Sequence, residues 1–393
     1  MMGLITLEEL NKRLKNDTTF YFQSNGFSDV KDIQNELSQT IDLKIHHVKE
    51  IDWSRWKWIR SLQKRKYLVD ASEIKDFNAV VILGGDDLSE YYTKKIYRDL
   101  LKYWRWSLSK NIFLLGQSIG PFHYWKNKFV VKNLYKKIPI FVRDAWSKDY
   151  LASEFGLKKN VWQSADIAFL DLPLQHDKSI EKEILDRYHL QKNQYLTLVM
   201  SGLVGKYYTK NKEKYFEAYK KLIEKLQADK DFKDLKIVLL AHTFPPHADE
   251  GKLIKEFLQT LPTELKQNII PVTDKILQTK ARFILGNGRM TVTGRMHAAI
   301  STFQMGKPAI ALSYSAKYKG VIGMNLNRTD LIIESDNEDL WNNLSIVDLI
   351  MEKIHYTQQN YEKITREIQE KVSEQKKLVE QTFDTIAEKI NNL

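Results

Sequence analysis

Short, continuous apolar runs alternate with longer helical patterns along most of this chain. Thr19–Phe22, Leu43–Ile45, Ala79–Leu83, Ile112–Leu115 and Pro139–Val142 form a first set, with a helical stretch expected around Val30–Leu37. Tyr195–Met200, Lys236–Leu240, Phe283–Leu285, Thr291–Thr293 and Ala309–Leu312 form a second set. Strands apolar on both faces, with helices between them, predict parallel sheets covered on both sides. The stretch Asp171–Lys178 breaks this rhythm. The pattern therefore predicts an N-terminal domain over 1–172, a linker over 173–192, a second domain over 193–348 and a C-terminal helix over 349–393. In that last segment Ile364, Ile368, Val372, Val379, Phe383, Ile386 and Ile390 recur at intervals of three, four and seven, an amphipathic stripe that must pack on something.

The fold class this predicts is α/β, with two Rossmann-like domains facing a cleft, of the glycosyltransferase-B type, and a long C-terminal helix. A length of 393 residues suits two domains. No segment approaches the ~20 apolar residues that span a bilayer, and Met1–Glu9 has early acids and no apolar signal core. The absence of cysteine excludes disulfides and thiolate metal sites and fits a cytoplasmic protein. A net charge of +11 points to anionic partners. Nucleic acid is not expected among them, because no reader module is present and the positive charge is dispersed.

The runs end in candidate chemistry, as expected where ligands sit beyond the carboxyl ends of parallel strands. Thr291–Thr293 runs into Gly294–Arg295–Met296–His297 and then an apolar helical stretch. Ala309–Leu312 is followed by Ser313–Tyr314–Ser315–Ala316–Lys317. An arginine at a strand–helix junction adds a bidentate cation to a helix terminus that already favours an anion. His297, two residues on, suits proton transfer near neutral pH. Tyr314 reads either as a packing residue or as a substrate contact, and Lys317 either as a solvated surface lysine or as part of the anion site. In the first half Ala79–Leu83 ends at Gly84–Gly85–Asp86–Asp87, Ile112–Leu115 at Gly116–Gln117–Ser118–Ile119–Gly120–Pro121, and Pro139–Val142 at Arg143–Asp144. Asp86 and Asp87 read either as helix caps or as acceptor-binding or general-base groups, and Arg143–Asp144 either as an ion pair or as a site. His242 and His247 flank Pro245–Pro246 near Asp249, but the spacing fits no familiar zinc pattern, so no metal is expected.

Taken in order, Gly84–Gly85–Asp86, Gly116–Gln117–Ser118–Ile119–Gly120–Pro121, Val142–Arg143–Asp144 with Ser147, Ala165–Asp166–Ile167–Ala168–Phe169, Gly294–Arg295–Met296–His297 and Tyr314–Ser315–Ala316–Lys317 with Gly320 resemble the polysaccharide pyruvyl transferase family. The resemblance runs from about Ala79 to Asn325. The opening Asn25–Gly26–Phe27–Ser28–Asp29 only approximates the family's first turn. It implies transfer of pyruvate from phosphoenolpyruvate to two hydroxyls of one sugar of a cell-surface polysaccharide precursor, with release of phosphate. Phosphoenolpyruvate then serves as co-substrate and no cofactor is needed. His297 and Asp86 become the catalytic candidates. Arg295, Lys317, Tyr314, Gly294 and Arg143 become candidates for donor binding, and Asp86, Asp87 and Gln117 for acceptor binding. The alternative is a glycosyltransferase that uses a nucleotide-activated sugar in capsule or exopolysaccharide synthesis.

Three segments mix aromatics with bases: Trp53–Arg60 with Lys64–Lys66, Lys102–Trp106 and Phe122–Phe129. They read either as helices covering a sheet or as a peripheral contact with the inner face of the cell membrane, which would suit an acceptor carried on a lipid diphosphate.

Overall fold

In the computed structural model the structure describes residues 1–15, 17–23, 30–45, 74–90, 93–245, 248–315 and 317–393. The expected turn at Asn25–Asp29, the Trp53–Lys66 segment, His247 and Ala316 lie outside the described residues.

The chain forms two units. One comprises Ala168–Lys376 with Met1, the other Met2–Ile167 with Lys377–Leu393. This differs from the division expected at residue 172. The stretch expected as a linker over 173–192 carries the helix Lys178–Arg187, capped by Asp177 and buried at Ile184 and Leu185.

In the first unit β7 (Tyr195–Val199), β8 (Lys236–Leu240), β9 (Ile269–Val272), β10 (Met290–Thr293), β11 (Ala309–Ser313) and β12 (Ile332–Glu334) pair in parallel, in the order β12-β11-β10-β7-β8-β9. Counted from β7 this is the doubly wound order 3-2-1-4-5-6, which reverses between β7 and β10. Side chains alternate between the faces. Leu196, Leu198, Ile237, Leu239, Val292 and Ile310 pack with Tyr215, Tyr219, Leu222 and Trp341. Tyr195, Val199, Val238, Leu240 and Val272 pack with Phe283, Ile284, Leu285 and Ala298.

Phe283–Leu285, expected as a strand, belongs to the helix Gln278–Asn287. Three consecutive apolar residues fit a buried strand or a helix buried on every side equally well. β9, β12 and the other unit's strand β6 (Val161–Gln163) are absent from the apolar pattern for the opposite reason. They are short edge strands, and β9 tolerates Pro271 because an edge leaves a ladder donor unused.

The second unit holds a parallel pair, β1 (Phe20–Phe22) and β2 (Leu43–Ile45), and a parallel sheet of β3 (Ala79–Leu83), β4 (Asn111–Gln117), β5 (Ile140–Val142) and β6 (Val161–Gln163) in sequential order. The C-terminal segment is two helices, Ser345–Gln359 and Tyr361–Asn391. The stripe foreseen in the sequence is buried at Ile364, Ile368, Val372, Val379, Phe383 and Ile386. The longer helix spends its first half in one unit and its last in the other, where Thr382 donates to Ser164 and Arg13 pairs with Asp384.

Candidate active site

β7, β8, β10 and β11 end side by side, and the loops after β7, β8 and β10 meet at the buried carboxylate of Glu250. Glu250 opens the helix Glu250–Thr260 and is entirely buried. Its Oε2 accepts the backbone N–H groups of His242 at 2.8 Å and Thr243 at 3.0 Å, and its Oε1 accepts that of Gly202 at 3.4 Å. The Nε of Arg295 completes the set with a charge-assisted bond to Oε1. One carboxylate thus joins the ends of β7, β8 and β10. Nothing in the sequence distinguishes Glu250 from the surface acids around it.

Arg295 precedes the helix Met296–Gln304 at the reversal of strand order. Its Nη2 donates to Thr243 Oγ1 at 3.0 Å, and among the described residues Nη1 has no hydrogen-bond partner. Burial alone would lower the guanidinium pKa, but Glu250 overrides this and raises it above the ordinary value. The expected anion-binding arginine is therefore held by two partners with one nitrogen to spare.

His297 lies half-buried in the first turn of the same helix. His242, read from the sequence as a loop residue that follows a strand and could line the cleft, sits just after β8 with its Nδ1 out of solvent and unpartnered among the described residues. Burial, reinforced by the charges of His297, Arg295 and more weakly Arg282, pushes the His242 pKa down to about 3. Beside these charges the imidazole stays neutral. Its place at a strand end was the available sequence signal.

Tyr314 stacks on Tyr207 with ring centroids 4.0 Å apart and planes 15° apart. Lys317 donates to the Tyr314 hydroxyl at 3.1 Å, and Lys206 lies over the Tyr207 ring at 4.8 Å, so two cations flank a tyrosine pair. Gly294 is fixed by packing. Its carbonyl accepts from Tyr208 and Tyr318, each at 2.9 Å, and an added Cβ would lie 2.5 Å from the Tyr208 hydroxyl. Any larger residue would displace the turn that carries Arg295. Arg295, His297, Gly294, Tyr314 and Lys317 are thus gathered at one sheet edge.

Asp86, Asp87, Gln117 and Arg143 belong to the other unit, at the ends of its own strands. Asp86 is half-buried and Asp87 exposed. Gln117 is buried and donates to the Ile82 carbonyl at 3.1 Å. Its carboxamide lies so close to Gly84 that a Cβ there would approach within 2.2 Å. Arg143 is fully buried, with Nη1 2.8 Å from Asp166 and Nε 2.8 Å from Ser118 Oγ, which donates to Asp144. Asp144 caps the helix Ala145–Phe155. Arg143 is thus in a structural ion pair, but with Asp166 and not with the Asp144 that follows it, which caps the helix instead.

Among the described residues, Asp229, Asp231 and His355 could each turn one ligand atom toward a common metal ion, within 4.8 Å of one another. They lie where the helix Lys212–Ala228 ends ahead of β8, at the opposite end of the sheet from the loops above.

The sequence pattern of the family described as polysaccharide pyruvyl transferase matches residues 10–316, well over half of the chain. This chain belongs to the polysaccharide pyruvyl transferase family. Comparison with curated proteins finds no sequence match. Solved structures of similar fold include a UDP-GlcNAc 2-epimerase from Neisseria meningitidis bound to UDP-GlcNAc, with TM-score 0.60, 11% identity and coverage of 99% of this chain and 97% of that one. A putative UDP-N-acetylglucosamine 2-epimerase from Listeria monocytogenes aligns with TM-score 0.59 and 13% identity over 94% and 88% of the two chains. A glycosyltransferase from Rickettsia africae aligns with TM-score 0.52 and 13% identity over 99% and 94%. These likenesses concern the fold, which is glycosyltransferase-B-like: two Rossmann-like units and a long C-terminal helix. No helix among the described residues is long and apolar enough to cross a membrane.

Proposed function

We propose that this member of the family transfers pyruvate from phosphoenolpyruvate to two hydroxyls of one sugar in a cell-surface polysaccharide precursor. The observation that carries the reading is the Gly294–Arg295–Met296–His297 turn, braced by Glu250, in a chain whose family is established. Arg295 Nη1 and the Lys317 ammonium supply cations, and the helix terminus at Met296 supplies N–H groups and the positive end of a dipole, for a donor bearing both a carboxylate and a phosphate. The methylene carbon of the donor takes up one proton, and the first sugar hydroxyl loses one as its oxygen bonds to the central carbon. Phosphate then leaves, and the second hydroxyl closes the ketal as it loses its own proton. His297 is assigned the proton transfer, and neutral His242 a hydrogen bond that places the anion. Asp86 and Asp87 are assigned to the acceptor; Gln117 and Arg143, expected as acceptor and donor ligands but both buried in internal hydrogen bonds, are assigned to the rigidity of that half. A nucleotide-sugar transferase could use the same cations, but family membership favours pyruvyl transfer.

Ligand-induced thermal stabilisation tests the donor. Phosphoenolpyruvate should raise the melting temperature of the wild type and not of Arg295→Lys, because a lysine cannot reproduce the forked geometry. An equal shift in both proteins would remove Arg295 from the donor site. A shift with UDP-sugars and none with phosphoenolpyruvate would favour the glycosyltransferase.

A further inference from the structure

The helix Trp125–Leu134 presents two faces of opposite character. Its inner face holds Val130 and Val131, buried with Tyr135 in the core of its unit, and Asn127, whose amide donates to the Glu90 carboxylate at 2.6 Å. Glu90 also accepts the N–H of Tyr124, so the start of the helix is pinned. The outer face is a stripe at helical spacing: Trp125, Lys128, Phe129 and Lys132, followed by Lys136. Trp125 is 65% exposed and Phe129 57%. Lys126 lies over the rings of Tyr97 and Trp125 at 5.3 and 5.5 Å. Trp146, 43% exposed, stacks on Tyr150 at 5.0 Å, and the Tyr150 hydroxyl accepts the N–H of Phe122, joining it to the same corner.

We propose that this stripe docks the protein on an anionic lipid surface, with Trp125 and Phe129 entering the headgroup region and Lys128, Lys132 and Lys136 facing the lipid phosphates. Charge complementarity selects the occupant. Five lysines and no acid lie between Phe122 and Val142. A second copy of the chain would set this cationic stripe against itself. Exposed aromatics among lysines on one helix face are suited to a membrane interface, where rings replace headgroup contacts and each cation gains from the surface potential. The inference is independent of the donor reading, since it concerns binding and not turnover.

Co-sedimentation of the full chain with vesicles tests it. Binding should be strong to phosphatidylcholine–phosphatidylglycerol vesicles, weak to phosphatidylcholine alone, and should fall as salt shortens the screening length toward ~8 Å and below. Trp125→Ser/Phe129→Ser should weaken partitioning by about tenfold or more. Lys128→Gln/Lys132→Gln, which leaves the packing of the helix alone, should remove the dependence on phosphatidylglycerol and salt. Tryptophan quenching by bromine-labelled lipid tails should drop in Trp125→Phe. The proposal is overturned by equal sedimentation of the wild type and both variants. It is equally overturned by a doubled mass in light scattering that the serine variant halves, which would make the stripe an interface between copies. Displacement of the protein from vesicles by a single-stranded oligonucleotide that both variants fail to bind would assign the stripe to nucleic acid instead.

Discussion

The Arg295 guanidinium, proposed to take up and release the donor anion, is held in place by its ion pair with Glu250. Glu250→Gln should lower stability by about 3–5 kcal/mol, because a buried charge pair loses one partner while the other stays in place. Donor KM should rise more than kcat falls, since the proposed proton transfer lies with His297 and not with Arg295. Chemical denaturation and steady-state kinetics on one preparation check both. His297→Asn should still bind phosphoenolpyruvate, while turnover drops by about two to four orders of magnitude, the range for losing an acid–base group. Near-normal turnover with lost donor affinity would instead make His297 a binding residue. His242 gives a pH signature. With its folded pKa near 3 and an ordinary value of 6.5, the unfolded chain binds a proton between those values that the folded chain does not. Stability is therefore complete above pH 6.5 and falls as the pH drops toward 3. His242→Gln should flatten this acid-side decline in melting temperature, and an unchanged slope would refute the buried neutral imidazole.

At the scale of elements, the amphipathic spacing that pointed to a C-terminal helix corresponds to a stripe buried almost throughout, because a period near 3.6 over many turns has no strand alternative. Phe383 is fully buried in that stripe, and Phe383→Ala should cost about 3–5 kcal/mol, read by urea unfolding. A change within error would mean that the helix end is not packed in solution. Shorter signals carried less. Phe283–Leu285 could not announce a helix because its polar neighbours, Lys280 among them, supply the missing turns. The edge strands β6, β9 and β12 are too short, and β9 too interrupted by Pro271, to form a pattern. What the sequence did expose was where strands end, since a glycine or charged residue after an apolar run marks the carboxyl edge. That places Gly294, Arg295, His297, Tyr314 and Lys317 at one sheet edge and Asp86, Gln117 and Arg143 at another. The partners that orient them, Glu250, Thr243 and Tyr208, come from loops and helices whose composition is ordinary. They become visible only when the chain is folded.

For the whole molecule, two Rossmann-like units, the family match over residues 10–316 and the glycosyltransferase-B-like neighbours agree on the class of protein. Fold alone does not choose between epimerase, glycosyltransferase and pyruvyl transferase, since unlike chemistries share it. The choice rests on the donor. The most direct measurement is therefore phosphate release from phosphoenolpyruvate in the presence of a panel of α- and β-linked hexosides, with the products weighed by mass spectrometry. The account predicts phosphate release that requires both the right glycoside and His297, matched by a product carrying one pyruvate ketal. Glycosyl transfer from a nucleotide sugar, with phosphoenolpyruvate left intact across the whole panel, would contradict it.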